Sequence, residues 1–277
     1  MSTPVSRDAV LEQLRDFDTA LLANTIGYID PTPAHEFYMG GSIQSVTPSL
    51  GPTVGVAVVC EMDSSTPNNK ANADGYWKQL EQISEMDVPT VWVVKAAGKR
   101  PDHECIIGDG MAKTLFSVGC VGLVTDGGVR DVAGLLNVPF AAYCRGTVIH
   151  HTALNVKRIN RPVNIGGIAI HPGDVIHANA EGVIKVPNTC LDRLAEAAIR
   201  MRAFEHEAHL ALRRTDLSVA EKKKRVGEAI VKYGFADCVT AGRSAIPGRP
   251  VARTIGNDDG ETHPAARKRS ARNGRPT

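Results

Sequence analysis

The chain lacks the signatures of a membrane or secreted protein. No stretch of its 277 residues approaches the roughly 18 consecutive apolar residues that a membrane-spanning helix requires. The first residues, MSTPVSRDAVLEQL, contain no apolar core of the kind that a signal peptide carries. We therefore expect a soluble protein of the cytoplasm with no membrane partner.

Cysteines are few and far apart. The six positions, 60, 105, 120, 144, 190 and 238, form no CxxC pair, which argues against a structural zinc knuckle. Four of them lie in or beside apolar runs, which predicts reduced and mostly buried thiols.

Three common cofactor and nucleophile motifs are also missing. The chain contains neither the GxxxxGK[ST] of a phosphate-binding loop nor the GxSxG of a serine hydrolase. The run Gly108-Asp109-Gly110 lacks the third glycine of a dinucleotide-binding fingerprint, and no clear strand pattern directly precedes it. These absences give no support to a nucleotide cofactor.

The charge is nearly balanced overall but unevenly distributed. With 32 Lys and Arg against 30 Asp and Glu, the net charge is +2, which argues against a dedicated nucleic-acid-binding protein. Residues 241–277 hold eight basic and three acidic groups, a charge of +5, which leaves 24 basic and 27 acidic groups, or −3, on residues 1–240. We expect one α/β domain over 1–240 and a flexible basic tail over 241–277, to which any nucleic-acid contact is confined.

Hydrophobic periodicity predicts alternating strands and helices in the first half of the chain. Helices are expected over residues 8–26, 75–86, 110–118 and 132–136. Apolar runs predict strands over residues 54–60, 90–94, 121–125 and 140–144. Such alternation implies parallel pairing through right-handed crossovers.

After Gly146 the pattern changes to short strands and turns. A hairpin of strands 163–165 and 168–170 is expected, then strands 175–178 and 183–186 and helices 191–213 and 219–233. The expected architecture is a central βαβ sheet packed on a β-rich half, with helices at both ends.

Two glycine-rich segments carry the most informative chemistry. Gly108-Asp109-Gly110-Met111 lies at the start of a predicted helix, where backbone N–H groups and the helix dipole favour a carboxylate or phosphate. The segment TDGGVRD, which ends in Arg130 and Asp131, leaves a predicted strand for another helix. Loops at the carboxyl ends of parallel strands lie close together, so Asp109, Arg130 and Asp131 are expected to surround one anion site. Arg suits carboxylate recognition, and one or two carboxylates with waters suit Mg²⁺ or Mn²⁺.

Each of these patterns has a simpler explanation. Asp131 could cap a helix while Arg130 pairs with Asp126, and spacing alone does not choose between this and an anion site. His206 and His209 could share a helix face for a metal, although a solvated polar face is favoured. His150 and His151 point to opposite sides of an extended chain, so at most one of them enters a given site.

The spacing of Asp109, twenty residues and then Arg130-Asp131, inside GD and GLVTDGGVRD, resembles the RraA-like family. The similarity continues through Arg145-Gly146 and HPGD at 171–174 to Val186-Pro187, and covers roughly residues 14–204. The best-known enzymes of that family are 4-hydroxy-4-methyl-2-oxoglutarate/4-carboxy-4-hydroxy-2-oxoadipate aldolases of aromatic catabolism, which also decarboxylate oxaloacetate.

The resemblance implies a swivelling βαβ fold, a homotrimer or homohexamer with active sites at subunit interfaces, and a metal-dependent lyase that releases pyruvate from a small 2-oxo acid. Gly108, Asp109, Gly110 and Met111 would bind the carboxylate of the substrate, and Arg130 its keto oxygen. Asp131 would hold Mg²⁺ or Mn²⁺, and Asp109 would position a water that protonates the enolate. The catalytic residues would be Asp109 and Arg130.

The chain departs from the family pattern at several positions. Gly134 stands where some members have an acidic residue, and the acid that a neighbouring subunit supplies would be Glu205 or Glu207. The family also contains regulators of RNA processing. A non-catalytic regulator that binds through the basic tail, or a different decarboxylase or hydrolase reaction at the same metal site, is therefore the alternative function.

Overall fold

The computed structural model describes residues 6–236, which form seven α-helices and twelve strands. The helices are α1 (Arg7–Leu14), α2 (Thr19–Ile29), α3 (Asp74–Ser84), α4 (Asp109–Ser117), α5 (Val132–Asn137), α6 (Leu191–Leu212) and α7 (Val219–Lys232). The strands are β1 (Gln44–Ser45), β2 (Thr53–Asp63), β3 (Thr90–Ala96), β4 (Cys105–Ile107), β5 (Cys120–Thr125), β6 (Gly128–Val129), β7 (Ala141–Cys144), β8 (Asn155–Lys157), β9 (Val163–Ile165), β10 (Ile168–Ile170), β11 (Val175–Asn179) and β12 (Gly182–Val186).

One mixed sheet organises these elements, and the α/β prediction is confirmed. Its strand order is β1-β7-β5-β3-β2-β11-β12, with β8 paired to β2. The four central strands, β2, β3, β5 and β7, are parallel neighbours, as the strand–helix alternation predicts. The expected hairpin of β9 and β10 is also present, in antiparallel register.

Both faces of the central strands are covered, which explains their nearly continuous apolar sequences. Along β2, Val58, Cys60 and Met62 pack in the core that includes α3, α4 and α5. The alternate residues Ala57 and Val59 pack in the core that includes the β9–β10 hairpin. A third core joins the N-terminal helices to α6 and to the first residues of β2.

The single helix expected over residues 8–26 is wrong, because the chain breaks between α1 and α2. The Asp18 side chain accepts a hydrogen bond from Leu21 N at 2.7 Å and thereby starts a new helix. Apolar spacing continues across this break, so periodicity alone did not reveal it. The domain boundary near residue 240 and the basic tail of 241–277 lie outside the described residues and stay predictions.

None of the helices in residues 6–236 combines the length and hydropathy that crossing a membrane requires. The thiol prediction is confirmed for five of the six cysteines, which are free and buried, while Cys238 lies outside the described residues. Burial raises the pKa of the Cys144 thiol to about 11, so it is protonated at neutral pH.

A buried histidine joins the N-terminal helices to the sheet. His177 on β11 is fully buried, its Nδ1 is 2.9 Å from Thr19 Oγ1, and its Nε2 is 3.1 Å from the Leu14 carbonyl oxygen. A carbonyl only accepts hydrogen bonds, so Nε2 carries the proton and the neutral ring satisfies both contacts. Burial lowers the pKa of His177 to about 4.

We predict that His177 makes the fold acid-sensitive. As the pH falls below ~6.5, His177 becomes protonated in the unfolded chain, whereas in the folded chain it stays neutral until about pH 4. The free energy of unfolding therefore falls as the pH falls through this window. The lost stability is about 3 kcal/mol. Urea denaturation between pH 8 and 4.5 should show a flatter pH dependence for His177→Gln than for wild type. His35→Gln, at an exposed position, is the control and should retain the wild-type slope. Equal slopes for all three proteins would contradict this prediction.

Candidate functional site

Two loops meet at a small strand pair that lies outside the main sheet. β4 and β6 are parallel partners, and Arg130 N donates a hydrogen bond to the Ile107 carbonyl oxygen at 3.0 Å. β4 leads into α4 and β6 leads into α5, so this pairing brings Gly108–Met111 beside Arg130 and Asp131. They line one cavity of about 350 Å³, together with Ile106, Ile107, His151 and Leu154.

The structure therefore brings together all six residues that the sequence selected. It also corrects one expectation, because Gly108 directly follows a strand. β4 contains three residues and β6 two, which is too short for an apolar period to be recognised.

Gly108 allows the two loops to approach closely. A Cβ at this position would lie 2.6 Å from Asp131 Oδ2 and 3.0 Å from Arg130 Nε. The side chains of Arg130 and Asp131 thus occupy the space that a side chain at position 108 would fill. At Gly110, by contrast, a Cβ would meet nothing within 4 Å, so the space beside this backbone is open to a ligand.

The guanidinium of Arg130 is a cation without a hydrogen bond to any other described residue. Its charged neighbour is Asp131, whose Oδ2 lies 3.4 Å from Nε. Nε itself is buried and has no hydrogen-bond partner within residues 6–236. The side chain as a whole is 36% exposed, so the remaining donors are accessible to an anion from the cavity.

Asp131 has an unusual backbone conformation at the start of α5. Its φ of 57° and ψ of 42° lie in the left-handed region, which is uncommon for residues other than glycine and is tolerated best by Asn and Asp among them. Its side chain makes no capping hydrogen bond, so a purely capping role is wrong. The alternative pairing of Arg130 with Asp126 is also wrong, because Asp126 binds Lys95 and accepts a hydrogen bond from Ala96 N.

Asp109 is the first residue of α4 and forms an ion pair one turn later in the helix. Lys113 Nζ donates to Asp109 Oδ2 at 2.6 Å. This hydrogen bond holds the pKa of the Asp109 carboxyl below its ordinary value, so the group is ionised at neutral pH. Gly134 packs against it, since a Cβ there would lie 2.4 Å from the Asp109 Cβ. An acidic side chain at position 134 would therefore not fit here without movement.

His151 and Leu154 come from the segment that connects β7 and β8, and they complete the cavity. Of His150 and His151, only His151 lines the cavity, as expected of at most one of them, but the expectation that they point to opposite sides of the chain is wrong, because their rings lie together. His150 stacks on His151 with ring centroids 5.4 Å apart. His151 is therefore a residue of the candidate site. The sequence predicted that at most one of the two histidines enters a site, but it did not indicate which one.

A buried carboxylate anchors the floor of the site. Glu104, immediately before β4, is fully buried and accepts hydrogen bonds from Ser64 N, Ser64 Oγ and Ser65 Oγ. Ser64 also accepts a hydrogen bond from Thr152 N at 2.7 Å through its carbonyl oxygen. Glu104 thus connects β4 to the segment that carries His151. A lone acidic residue before three apolar ones gives no sequence signal of this role.

The other titratable groups near the cavity limit its chemistry. Burial raises the pKa of the Cys105 thiol to about 11, so this residue on β4 supplies no thiolate nucleophile at neutral pH. Within residues 6–236, no group of three or more His, Cys, Asp and Glu side chains is arranged to bind a metal. The carboxylates of Asp109 and Asp131, which line the cavity, are too few for a closed Zn²⁺ site. They fit Mg²⁺ or Mn²⁺, which need only one or two carboxylates with waters.

The acids on α6 have partners within the chain. Glu207 accepts hydrogen bonds from Lys232 Nζ at 2.6 Å and from Tyr233 OH at 2.9 Å, and these lower the pKa of its carboxyl. Glu205 accepts one from Asn24 at 3.1 Å. Neither lines the cavity, so the idea that a neighbouring subunit contributes one of them stays a prediction.

The chain is similar to known proteins over the part that contains this candidate site. The family model described as RraA-like, Aldolase/RraA, matches residues 31–185. A Halalkalibacterium halodurans protein named "Putative 4-hydroxy-4-methyl-2-oxoglutarate aldolase" is 35% identical over 137 residues, which cover 48% of this chain and 63% of that protein. Protein DlpA of Legionella pneumophila is 30% identical over 112 residues, which cover 39% of this chain and 18% of DlpA. The matches thus span less than two thirds of both relatives.

Among solved structures, the chain is similar to Streptomyces coelicolor RraAS2, described as an unusual member of the RNase ES inhibitor RraA protein family. The TM-score is 0.59 at 19% identity, and the match covers 77% of this chain and 100% of that one. A likeness at this identity shows the fold.

We predict opposite effects of the same substitution at two helix glycines. Gly134→Ala places a methyl group against Asp109 and should lower the free energy of unfolding by about 1–3 kcal/mol. Gly227→Ala in α7 meets nothing within 4 Å and should raise it by about 0.5–1 kcal/mol, because alanine favours the helix. Urea denaturation of both variants checks this. Stabilisation by Gly134→Ala would show that α4 and α5 do not pack as described.

Proposed function

The chain belongs to the RraA-like family, and from this premise we propose that it is a divalent-metal-dependent carbon–carbon lyase. Its substrate is a small 2-oxo acid with one or two further carboxylates, which it cleaves in a retro-aldol reaction that releases pyruvate. Oxaloacetate decarboxylation, which yields the same enolate, is a side reaction. The observation that carries the proposal is the Arg130 guanidinium, which has no hydrogen bond within the described chain and shares one cavity with Asp131 and the first residues of α4.

The substrate's 2-oxo acid end binds between the two loops. Arg130 donates hydrogen bonds to the keto oxygen, where negative charge grows as the C–C bond breaks. The carboxylate lies at the first turn of α4, whose N-terminus has no side-chain cap and where N–H groups and the helix dipole favour an anion. The open space beside Gly110 supports this placement.

Asp131 would hold the Mg²⁺ or Mn²⁺, with waters completing the coordination. Its carboxylate is 47% exposed, and its contact with Arg130 leaves it accessible to a cation from the cavity. When bound, the cation would supply positive charge that stabilises the enolate oxygen.

Asp109 positions the water that supplies the last proton of the reaction. Its pairing with Lys113 keeps it a carboxylate, which accepts a hydrogen bond from a water but does not itself donate a proton at neutral pH. A water held in this way delivers a proton to the methylene carbon of the pyruvate enolate, and the hydroxide that remains takes up a proton from solvent. The product is pyruvate, and the carboxylate is ready for another cycle.

We propose that a homotrimer or homohexamer completes the site. Ile149, two residues before His151, is 90% exposed in the single chain. A large apolar side chain so close to the cavity supports an interface there. The proposed regulatory alternative depends on the basic tail, which is not among the described residues, and no contact in residues 6–236 favours it.

We predict that pyruvate release requires both the cation and Arg130. Pyruvate formed from hydroxy-oxo dicarboxylates should disappear with EDTA and return with Mg²⁺ or Mn²⁺. Arg130→Ala should lower kcat/KM on the order of 10²- to 10³-fold, because a donor to the growing oxyanion is lost. Arg200→Ala, which removes an exposed arginine of α6, should retain wild-type activity. Activity that survives both EDTA and Arg130→Ala would overturn the proposed function.

We predict that Asp131→Asn folds normally but binds Mn²⁺ poorly. Asparagine tolerates the left-handed conformation, so the backbone should be retained while the charge is lost. Mn²⁺ titration followed by electron paramagnetic resonance measures binding without substrate, and kcat should fall on the order of 10²-fold. Asp87→Asn, at an exposed aspartate before β3, is the matched control. If Asp131→Asn bound Mn²⁺ with wild-type affinity, the proposal that Asp131 holds the metal would be wrong.

A further inference from the structure

We infer that His151 is the base that removes the substrate's hydroxyl proton during C–C cleavage. This inference rests on the proposed function, and it concerns a step that neither Arg130 nor Asp131 performs. A retro-aldol reaction needs a proton acceptor at the hydroxyl oxygen, several bonds away from the keto oxygen that Arg130 would bind. His151 lies on a different segment from Arg130 and lines the same cavity of about 350 Å³.

The other ionisable groups that line the cavity are unsuited to this step. Arg130 is a permanent cation and has no lone pair to accept a proton. Asp131 lies 3.4 Å from that guanidinium, and Asp109 forms an ion pair with Lys113 at 2.6 Å. Within the described chain, His151 is thus the one ionisable lining residue without an opposite charge beside it.

A hydrogen bond at Nδ1 of His151 leaves the second ring nitrogen, Nε2, as the proton acceptor. Nδ1 lies 2.6 Å from the Thr152 carbonyl oxygen, which only accepts hydrogen bonds. Nδ1 therefore carries the proton of the neutral ring, and Nε2 keeps a free lone pair. The carbonyl also stabilises the positive charge that the ring gains after proton transfer.

The backbone that follows His151 is firmly held. Thr152 N donates to the Ser64 carbonyl oxygen at 2.7 Å, and Asn69 Nδ2 donates to the Ala153 carbonyl oxygen at 3.1 Å. The Leu154 carbonyl oxygen accepts from Asn72 N at 2.9 Å. Three successive anchors fix the position of the imidazole relative to the cavity, as a general base requires.

Cleavage moves one proton to His151 and leaves one electron pair on the enolate. Nε2 of His151 takes the hydroxyl proton, and the O–H electron pair becomes part of the new carbonyl group of the departing product. The C–C bond breaks, and its electron pair forms the pyruvate enolate. The enolate carbon then takes a proton from the water held by Asp109, which becomes hydroxide. The proton that His151 releases to solvent balances the one that this hydroxide takes up to become water again. Oxaloacetate decarboxylation has no hydroxyl proton to remove, so it does not need His151.

This difference between substrates provides the test. His151→Asn keeps an amide N–H that can reach the Thr152 carbonyl but removes the proton acceptor. The variant should lose kcat for cleavage of a 4-hydroxy-2-oxo dicarboxylate on the order of 10²- to 10⁴-fold. Its oxaloacetate decarboxylation should change by no more than about twofold, and so should its Kd for oxalate, an enolate mimic, in the presence of Mn²⁺. His35→Asn, at an exposed histidine that does not line the cavity, is the control, and it should retain both reactions.

The possible results separate the two proposals. Arg130→Ala should impair both reactions, since both pass through the enolate. Equal losses of cleavage and decarboxylation in His151→Asn, or a loss in neither, would overturn the role of His151 while leaving the lyase intact. A wild-type enzyme that decarboxylates oxaloacetate but cleaves no hydroxy-oxo acid also overturns it. A wild-type enzyme without either activity overturns the proposed function, and the role of His151 with it.

Discussion

Two backbone hydrogen bonds outside the main sheet hold the candidate site together. Gly128 N donates to the Glu104 carbonyl oxygen at 2.7 Å, and Arg130 N donates to the Ile107 carbonyl oxygen at 3.0 Å. These bonds need no particular side chains, but they need backbones that approach closely. A Cβ on Gly127 would lie 2.7 Å from Ile106, and one on Gly128 would lie 2.5 Å from Val148. The glycines of TDGGVRD are therefore required for packing, in addition to any role in ligand access.

The buried Glu104 connects the β4 side of the cavity to the opposite side, which carries His151. A carboxylate removed from water is costly unless hydrogen-bond donors replace its hydration, and here Ser64 and Ser65 supply three of them. Ser64 in turn binds Thr152, the neighbour of His151. The Arg130 wall and the His151 wall thus share one polar anchor. Hydrogen bonds within the fold therefore help to set their separation.

The sequence predicted the large elements and the charged residues of the site, but not the contacts between distant segments. Long amphipathic or apolar runs such as β2 and α6 are visible because their period persists over many residues. β4 and β6 escape detection, since strands of three and two residues have no measurable period. Asp109, Arg130 and Asp131 were found through glycine-rich motifs at predicted helix starts. Glu104 and His151 were missed as site residues because their roles arise from partners far away in sequence.

The balance of charge in the cavity explains why a divalent cation suits this site. Arg130 and Asp131 neutralise each other at 3.4 Å, and Asp109 is neutralised by Lys113, so these four groups sum to zero. The proposed substrate, a 2-oxo dicarboxylate, would bring two negative charges into this neutral environment, and one further acid would make three. A divalent cation on Asp131, as proposed, would supply the two positive charges that balance a dicarboxylate. The left-handed backbone of Asp131 and its uncapped side chain fit the same reasoning, because a residue kept in an unfavourable conformation without a structural hydrogen bond is typical of a functional site.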